Sequence, residues 1–148
     1  MYISICKTKG FTLLEMVLVI SLLGIIIAVS APIYSVFQTK NDVDLASEML
    51  KTSLYRAQIL SRNMIEDDNW SVHIENEDIT VFKGTDYPTR DLSFEEITKM
   101  SARVIVSGTT DIIFSKFTGD PQNIANIELT IDNETKTITI NEKGVQGN

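Results

Sequence analysis

The chain has one cysteine and one histidine in 148 residues, and thirteen basic residues against twenty acidic ones. Structural zinc takes four ligands, drawn mostly from Cys and His, so Cys6 and His73 alone exclude most metal sites. A Ser-His-Asp site could pass only through His73. The net charge of −7 argues against a phosphate-binding surface, because nucleic-acid binders draw most of their affinity from clustered Lys and Arg. No phosphate-loop or nucleophile motif is spelled out. Asp132, Asn133 and Glu134 lack the spacing of a calcium loop, and Asn133-Glu134-Thr135 is a glycosylation sequon by spelling only. The pairs Asp67-Asp68 and Glu95-Glu96 are adjacent, so their carboxylates point in different directions and read as solvated charge. No catalytic residue, metal or cofactor is expected.

What the chain does have is apolar sequence crowded at one end. From Leu13 to Phe37 Glu15 is the only charge, and Met16 to Phe37 is 22 residues without one. As a helix these would span about 33 Å, which matches a bilayer core of ~30 Å. Lys7 and Lys9 stand before the run as a positive flank of the kind that stays cytoplasmic. Residues 41–148 carry ten basic and nineteen acidic residues. The pattern predicts a single membrane-anchored helix with a polar, acidic domain on the far side.

Three explanations compete for this end. A plain signal anchor accounts for length and flank but not for Glu15, whose unpaired burial costs several kcal/mol. A cleaved signal peptide could end at Ala28-Val29-Ser30 before Ala31, yet the apolar run is long and an acid sits near its start. The third is a short basic leader ending in Gly, followed by an apolar helix that is kept.

Lys9-Gly10-Phe11-Thr12-Leu13-Leu14-Glu15-Met16 favours the third. Over residues 7 to 37 the sequence resembles the type IV pilin and pseudopilin family, which opens with Gly, Phe and then Thr-Leu-Leu-Glu at the head of a long apolar helix. The resemblance implies a leader of residues 1–10, cleavage by prepilin peptidase between Gly10 and Phe11, and N-methylation of Phe11. Cys6 would leave with the leader. It also implies that Glu15, fifth after the cut, pairs with an N-terminal amine, commonly that of a neighbouring subunit, and so sets the stagger during assembly. Gly24 and Pro32 would be points of helix flexibility. The implied partners are other pilin or pseudopilin subunits, the peptidase and an inner-membrane assembly platform. The implied location is a single pass of the inner membrane with the head outside the cytoplasm, then a filament.

Beyond Lys40 the helix pattern turns amphipathic. Val43, Ala46, Leu50, Ala57, Leu60 and Met64 recur at three- and four-residue spacing, interrupted at Ser53 with Leu54 beside it. This divides the expected helix into an assembly half, 11–37, and an amphipathic half, 38–65. Residues 66–148 then read as a β-rich head. Trp70, Val72 and Ile74 alternate with Ser71, His73 and Glu75, which places His73 toward solvent. Further strands are expected at 79–82, 103–106, 112–117, 127–131 and 138–140, with 132–135 as a hairpin loop. Residues 84–101 read as a long loop with a helical turn through 94–97. The expected fold class is α+β, pilin-like: a long N-terminal helix packed on an antiparallel sheet. Arg56-Ala57, Trp70-Ser71-Val72, Ile113-Phe114 with Gly119, and the closing Gly144-Val145 follow the order of GspH/FimT-type minor pseudopilins. A competence-type minor pilin that holds DNA is the alternative. Relatives of that kind use basic residues near the C-terminus, where this chain offers only Lys143, so nucleic-acid binding is not expected.

Overall fold

The computed structural model describes the backbone of residues 10–147, and their side chains except at 29–33, 35 and 145–147. Among the described residues one α-helix, α1 (Leu13–Arg62), is followed by eight strands, with three single-turn 3-10 helices between them. They are β1 (Trp70–Glu75), β2 (Asp78–Lys83), β3 (Glu96–Lys99), β4 (Ile105–Gly108), β5 (Asp111–Phe114), β6 (Ala125–Ile131), β7 (Glu134–Asn141) and β8 (Gly144–Gly147). The strands form two four-stranded antiparallel sheets, ordered β3-β2-β1-β5 and β4-β6-β7-β8. The fold is α+β. The chain divides into two compact units between Phe37 and Gln38.

In the second unit, α1 buries Val43, Ala46, Leu50, Leu54, Ala57 and Leu60 in one apolar cluster with Val72, Ile112, Ile127 and Ile138 from the two sheets. Burial of a leucine such as Leu50 or Leu54 contributes about 1.5–3 kcal/mol. Ser53, which interrupts the pattern in sequence, is buried too. Met64, by contrast, does not extend the stripe. It lies beyond the helix at φ 52° and is exposed, because the left-handed turn that ends α1 swings it outward.

Two polar side chains fasten the helix to the sheets. The Ser61 hydroxyl accepts the Trp70 N–H at 2.8 Å and donates to the Phe114 carbonyl at 3.1 Å, which links α1 to β1 and β5. The Gln58 amide donates to the Gly119 carbonyl at 3.0 Å and toward the Lys143 carbonyl at 3.4 Å, in the turns after β5 and between β7 and β8. Ser61→Ala would leave the buried Trp70 N–H without its partner and is expected to cost about 1–3 kcal/mol in urea unfolding. Ser47 behaves oppositely. Its hydroxyl is buried and makes no hydrogen bond, so Ser47→Ala is expected to stabilise the head by about 0.5–1 kcal/mol in the same assay.

The strands at 70–75, 79–82, 127–131 and 138–140 lie in β1, β2, β6 and β7. The hairpin loop narrows to Asp132-Asn133, since Ile131 pairs with Glu134. Three expectations shift. Residues 103–106 give way to β4 at Ile105–Gly108. The strand expected at 112–117 stops at Phe114, because Phe117 takes φ 74° and turns back to donate its N–H to the Ser61 carbonyl. The helical turn expected at 94–97 ends at Phe94, and Glu96–Lys99 becomes edge strand β3. Arg56 of α1 holds that edge by two bonds to Glu96, at 2.9 and 3.2 Å.

Two carboxyls in this unit titrate below the usual range. The Asp44 pKa is lowered chiefly by its hydrogen bond from Lys136, at 2.6 Å. That of Asp91 is lowered chiefly by the Ser93 backbone N–H. A carboxyl whose folded pKa lies below its unfolded value stabilises the fold above the ordinary carboxylate range, and that stabilisation disappears as pH falls through the folded value. Stability is therefore expected to decline on acidification below about pH 4, and Asp44→Asn to flatten that decline in a pH series of urea melts.

Candidate functional site

Gly10 and Phe11 lie outside α1 and are exposed. A Cβ placed on Gly10 would meet nothing within 4 Å, so no described residue requires glycine there. A residue without a side chain lets the backbone fit a tight cleft. Thr12 caps the helix: its hydroxyl accepts the Glu15 N–H at 3.2 Å, and its carbonyl accepts the Met16 N–H. Thr12 and Glu15 thus stand at the two positions of a capping box, a Thr followed three residues later by Glu. That spelling is legible in the sequence.

Glu15 sits in the first turn of α1, where a negative charge meets the positive end of the helix dipole. It is exposed and, among the described residues, forms no ion pair. The Phe11 nitrogen is an amide, and so carries no charge, while the Gly10–Phe11 bond is intact. Breaking the bond would create a primary amine one helical turn from the carboxylate. The three residues named for processing and pairing thus lie within one six-residue stretch.

Behind them α1 is apolar around its circumference. From Leu13 to Ile27 the large apolar side chains are between 49 % and 83 % exposed. A helix of that kind has no polar side to give to water and is stable only when surrounded by lipid or by other helices. Ser21 does not spoil this surface, since its hydroxyl is consumed by the Val17 carbonyl at 2.7 Å. Gly24 likewise has open space where a side chain would begin, and a glycine inside a helix costs about 1 kcal/mol relative to alanine. Pro32 falls within α1, but its side chain lies outside the described residues. Among the described residues no helix is long and apolar enough to cross a membrane. The expected span of 16–37 runs through the positions whose side chains are not described.

The head offers a different kind of surface. His73 does not face open solvent as its alternation suggested: its side chain is 15 % exposed. The segment after β2 folds back over the outer side of the first sheet. There the Tyr87 ring stacks on His73 at 3.7 Å and meets Phe82 edge-on. The Arg90 guanidinium lies 3.8 Å from the same Tyr87 ring. Two planar groups that close to one ring cannot share a face, so Tyr87 is sandwiched between them. Asp111 bonds the His73 Nδ1 at 2.7 Å, while Glu75 approaches Nε2 at 3.8 Å. The two carboxylates occupy opposite edges of the imidazole and cannot share one ion with it. No three His, Cys, Asp or Glu among the described residues are placed to hold a metal.

The adjacent acid pairs separate as their spacing demands. Asp67 meets Lys116 and Asp68 the Asn69 N–H. Glu95 meets Arg90 and Glu96 meets Arg56. Of the ten basic residues after position 40, eight lie within 4 Å of a carboxylate. That arrangement leaves little positive charge for a phosphate backbone.

Residues 5–31 match the family model described as the prokaryotic N-terminal methylation motif. No curated protein and no solved structure matches the chain.

Proposed function

We propose, from the match of residues 5–31 to the prokaryotic N-terminal methylation motif, that this chain is a structural subunit, a minor pilin or pseudopilin, of a type II secretion or type IV pilus-like filament. The observation that carries this reading is the all-round apolar surface of α1, opening directly behind Gly10-Phe11 with one acid, Glu15, in its first turn. A soluble enzyme or binding protein has no use for such a surface, whereas a subunit needs it twice. It is the anchor before assembly and the filament core afterwards.

In this reading residues 1–10 form a leader that prepilin peptidase removes between Gly10 and Phe11, and the new Phe11 amine is methylated. Residues 11–37 hold the subunit in the inner membrane, with 22 charge-free residues supplying the hydrocarbon span. Residues 38–65 continue as the amphipathic half that packs on the head, residues 66–148. The Glu15 carboxylate pairs with the Phe11 amine of a neighbouring subunit, where low dielectric makes the attraction strong and either charge alone costly. Gly24 and Pro32 bracket the stretch whose helical bonds loosen as subunits slide into register. The order of features in the head favours the GspH/FimT type.

The test is mass spectrometry of the protein recovered from membranes. A mature chain beginning with N-methyl-Phe11 is the expected result. A chain beginning at Ala31, or recovered free of the membrane with the apolar segment removed, overturns the reading.

A further inference from the structure

Sheets expose edges, and soluble proteins usually blunt them with charge, with proline or with a covering segment. In the first sheet this rule holds at both sides. β3 carries Glu96 and Lys99, engaged by Arg56 and Asp78. β5 is covered by the segment after it, through Gln122 N–H to the Ile113 carbonyl and the bridge between Phe114 and Pro121. β4, one of the two edges of the second sheet, has none of these devices. Its sequence is Ile-Val-Ser-Gly, and Ile105 is exposed.

The register of β4 on β6 shows which backbone groups are left over. Thr109 N–H donates to the Asn126 carbonyl, so the bonded pairs continue as Ser107 with Glu128 and Ile105 with Thr130. In an antiparallel ladder the intervening residues point their N–H and C=O the other way. Val106 therefore presents a donor and an acceptor away from β6. Among the described residues no backbone bond reaches it from that side. It opens onto a cleft of about 530 Å³ between β4 and the β1–β2 hairpin, floored by Ile74, Val104 and Val106. That is within the size range of ligand-binding clefts. Glu75 and Glu77 stand on its far wall, and among the described residues neither has a Lys or Arg within 4 Å.

We propose that this cleft is a docking site for an extended peptide segment of a partner protein, which adds as a strand to β4 and places Lys or Arg side chains against Glu75 and Glu77. An unpaired strand edge is a template for another strand, whose backbone supplies the matching donors and acceptors. The two carboxylates choose among strands by charge. A second copy of this chain is disfavoured as the occupant, because pairing β4 on β4 would bring two acidic walls together, and the β4 sequence itself has no basic residue. The proposal does not depend on filament assembly.

The experiment uses the full-length chain in neutral detergent micelles and a fluorescein-labelled synthetic octapeptide of alternating valine and lysine. Anisotropy is expected to rise to saturation, and hydrogen exchange at the Val106 amide to slow on binding. The same peptide methylated at every backbone nitrogen keeps its charge but loses its donors, and is expected to bind at least tenfold more weakly. An octapeptide of alternating valine and glutamate is expected not to bind. Glu75 is exposed and Glu77 half-buried, and neither belongs to the apolar core, so the double variant Glu75→Gln/Glu77→Gln is expected to keep the buried Trp70 fluorescence while losing affinity several-fold. Three results would overturn the proposal: no binding at millimolar peptide, equal binding of the methylated peptide, or a peptide-free dimer that already protects Val106.

Discussion

Glu15→Gln is expected to remove most of the subunit from assembled filaments while leaving cleavage, membrane insertion and head stability unchanged. The choice of glutamine follows from Thr12. Glu15→Ala would remove a charge and weaken the helix start together, whereas glutamine serves the third position of a capping box as well as glutamate. The variant thus isolates the charge. If the carboxylate pairs with a neighbour's amine, its loss leaves that ammonium unpaired in a low-dielectric bundle, and breaking such a pair costs about 3–5 kcal/mol. At ~1.4 kcal/mol per factor of ten, incorporation should drop by about two to three and a half orders of magnitude. The measurement is the ratio of variant to wild-type subunit in sheared filaments, with membrane-bound precursor and mature forms counted separately. Filaments containing the variant at the wild-type level would remove Glu15 from the assembly mechanism.

Phe114→Ala is the change expected to damage the head most. Phe114 is fully buried at the end of β5, opposite Trp70 in the neighbouring strand. Its carbonyl receives the Ser61 hydroxyl, and its backbone pairs with Pro121. Truncation removes the ring from a site held on three sides by helix, strand and turn, so collapse into the void is restricted and the cost lies near 3–5 kcal/mol. That is a large share of the 5–15 kcal/mol typical of a whole domain. Trp70 is the only tryptophan, and it reports the loss directly. Its emission should shift to the red at a urea midpoint well below that of the parent, with the melting temperature lower by on the order of 10–20 °C.

The parts of this molecule that are legible in sequence share a physical cause. The spacing of Val43, Ala46, Leu50 and Leu60 reveals the buried side of α1 because a helix repeats itself geometrically along one line. The run of Ile127, Leu129 and Ile131 reveals β6 for the same reason at period two. Where one side of an element is covered by something distant in sequence, local pattern fails. Ser71 looks solvent-facing by alternation, yet it and Phe82 opposite it are buried, because the long loop returns over them: the Gly84 carbonyl accepts the Ser71 hydroxyl and the Tyr87 ring meets Phe82 edge-on. His73 is misplaced by that same cover. β3 is illegible because Glu96 and Lys99 are held by partners on α1 and β2, not by an apolar repeat. The N-terminal segment is legible for another reason. Its residues spell a motif that a family model matches over 5–31, and a string such as Gly10-Phe11-Thr12-Leu13-Leu14-Glu15 can be read without knowing the fold.

Gln58 and Ser61 have a mechanical meaning as well as a thermodynamic one. With Cys6 as its only cysteine, the chain can form no internal covalent tie, so any tension applied along α1 must be resisted by noncovalent bonds alone. Ser61 grips β1 and β5, and Gln58 grips the turns flanking both sheets, all within one turn of the helix. A pull on the helix therefore loads these bonds side by side, sharing the force, instead of unzipping them one after another.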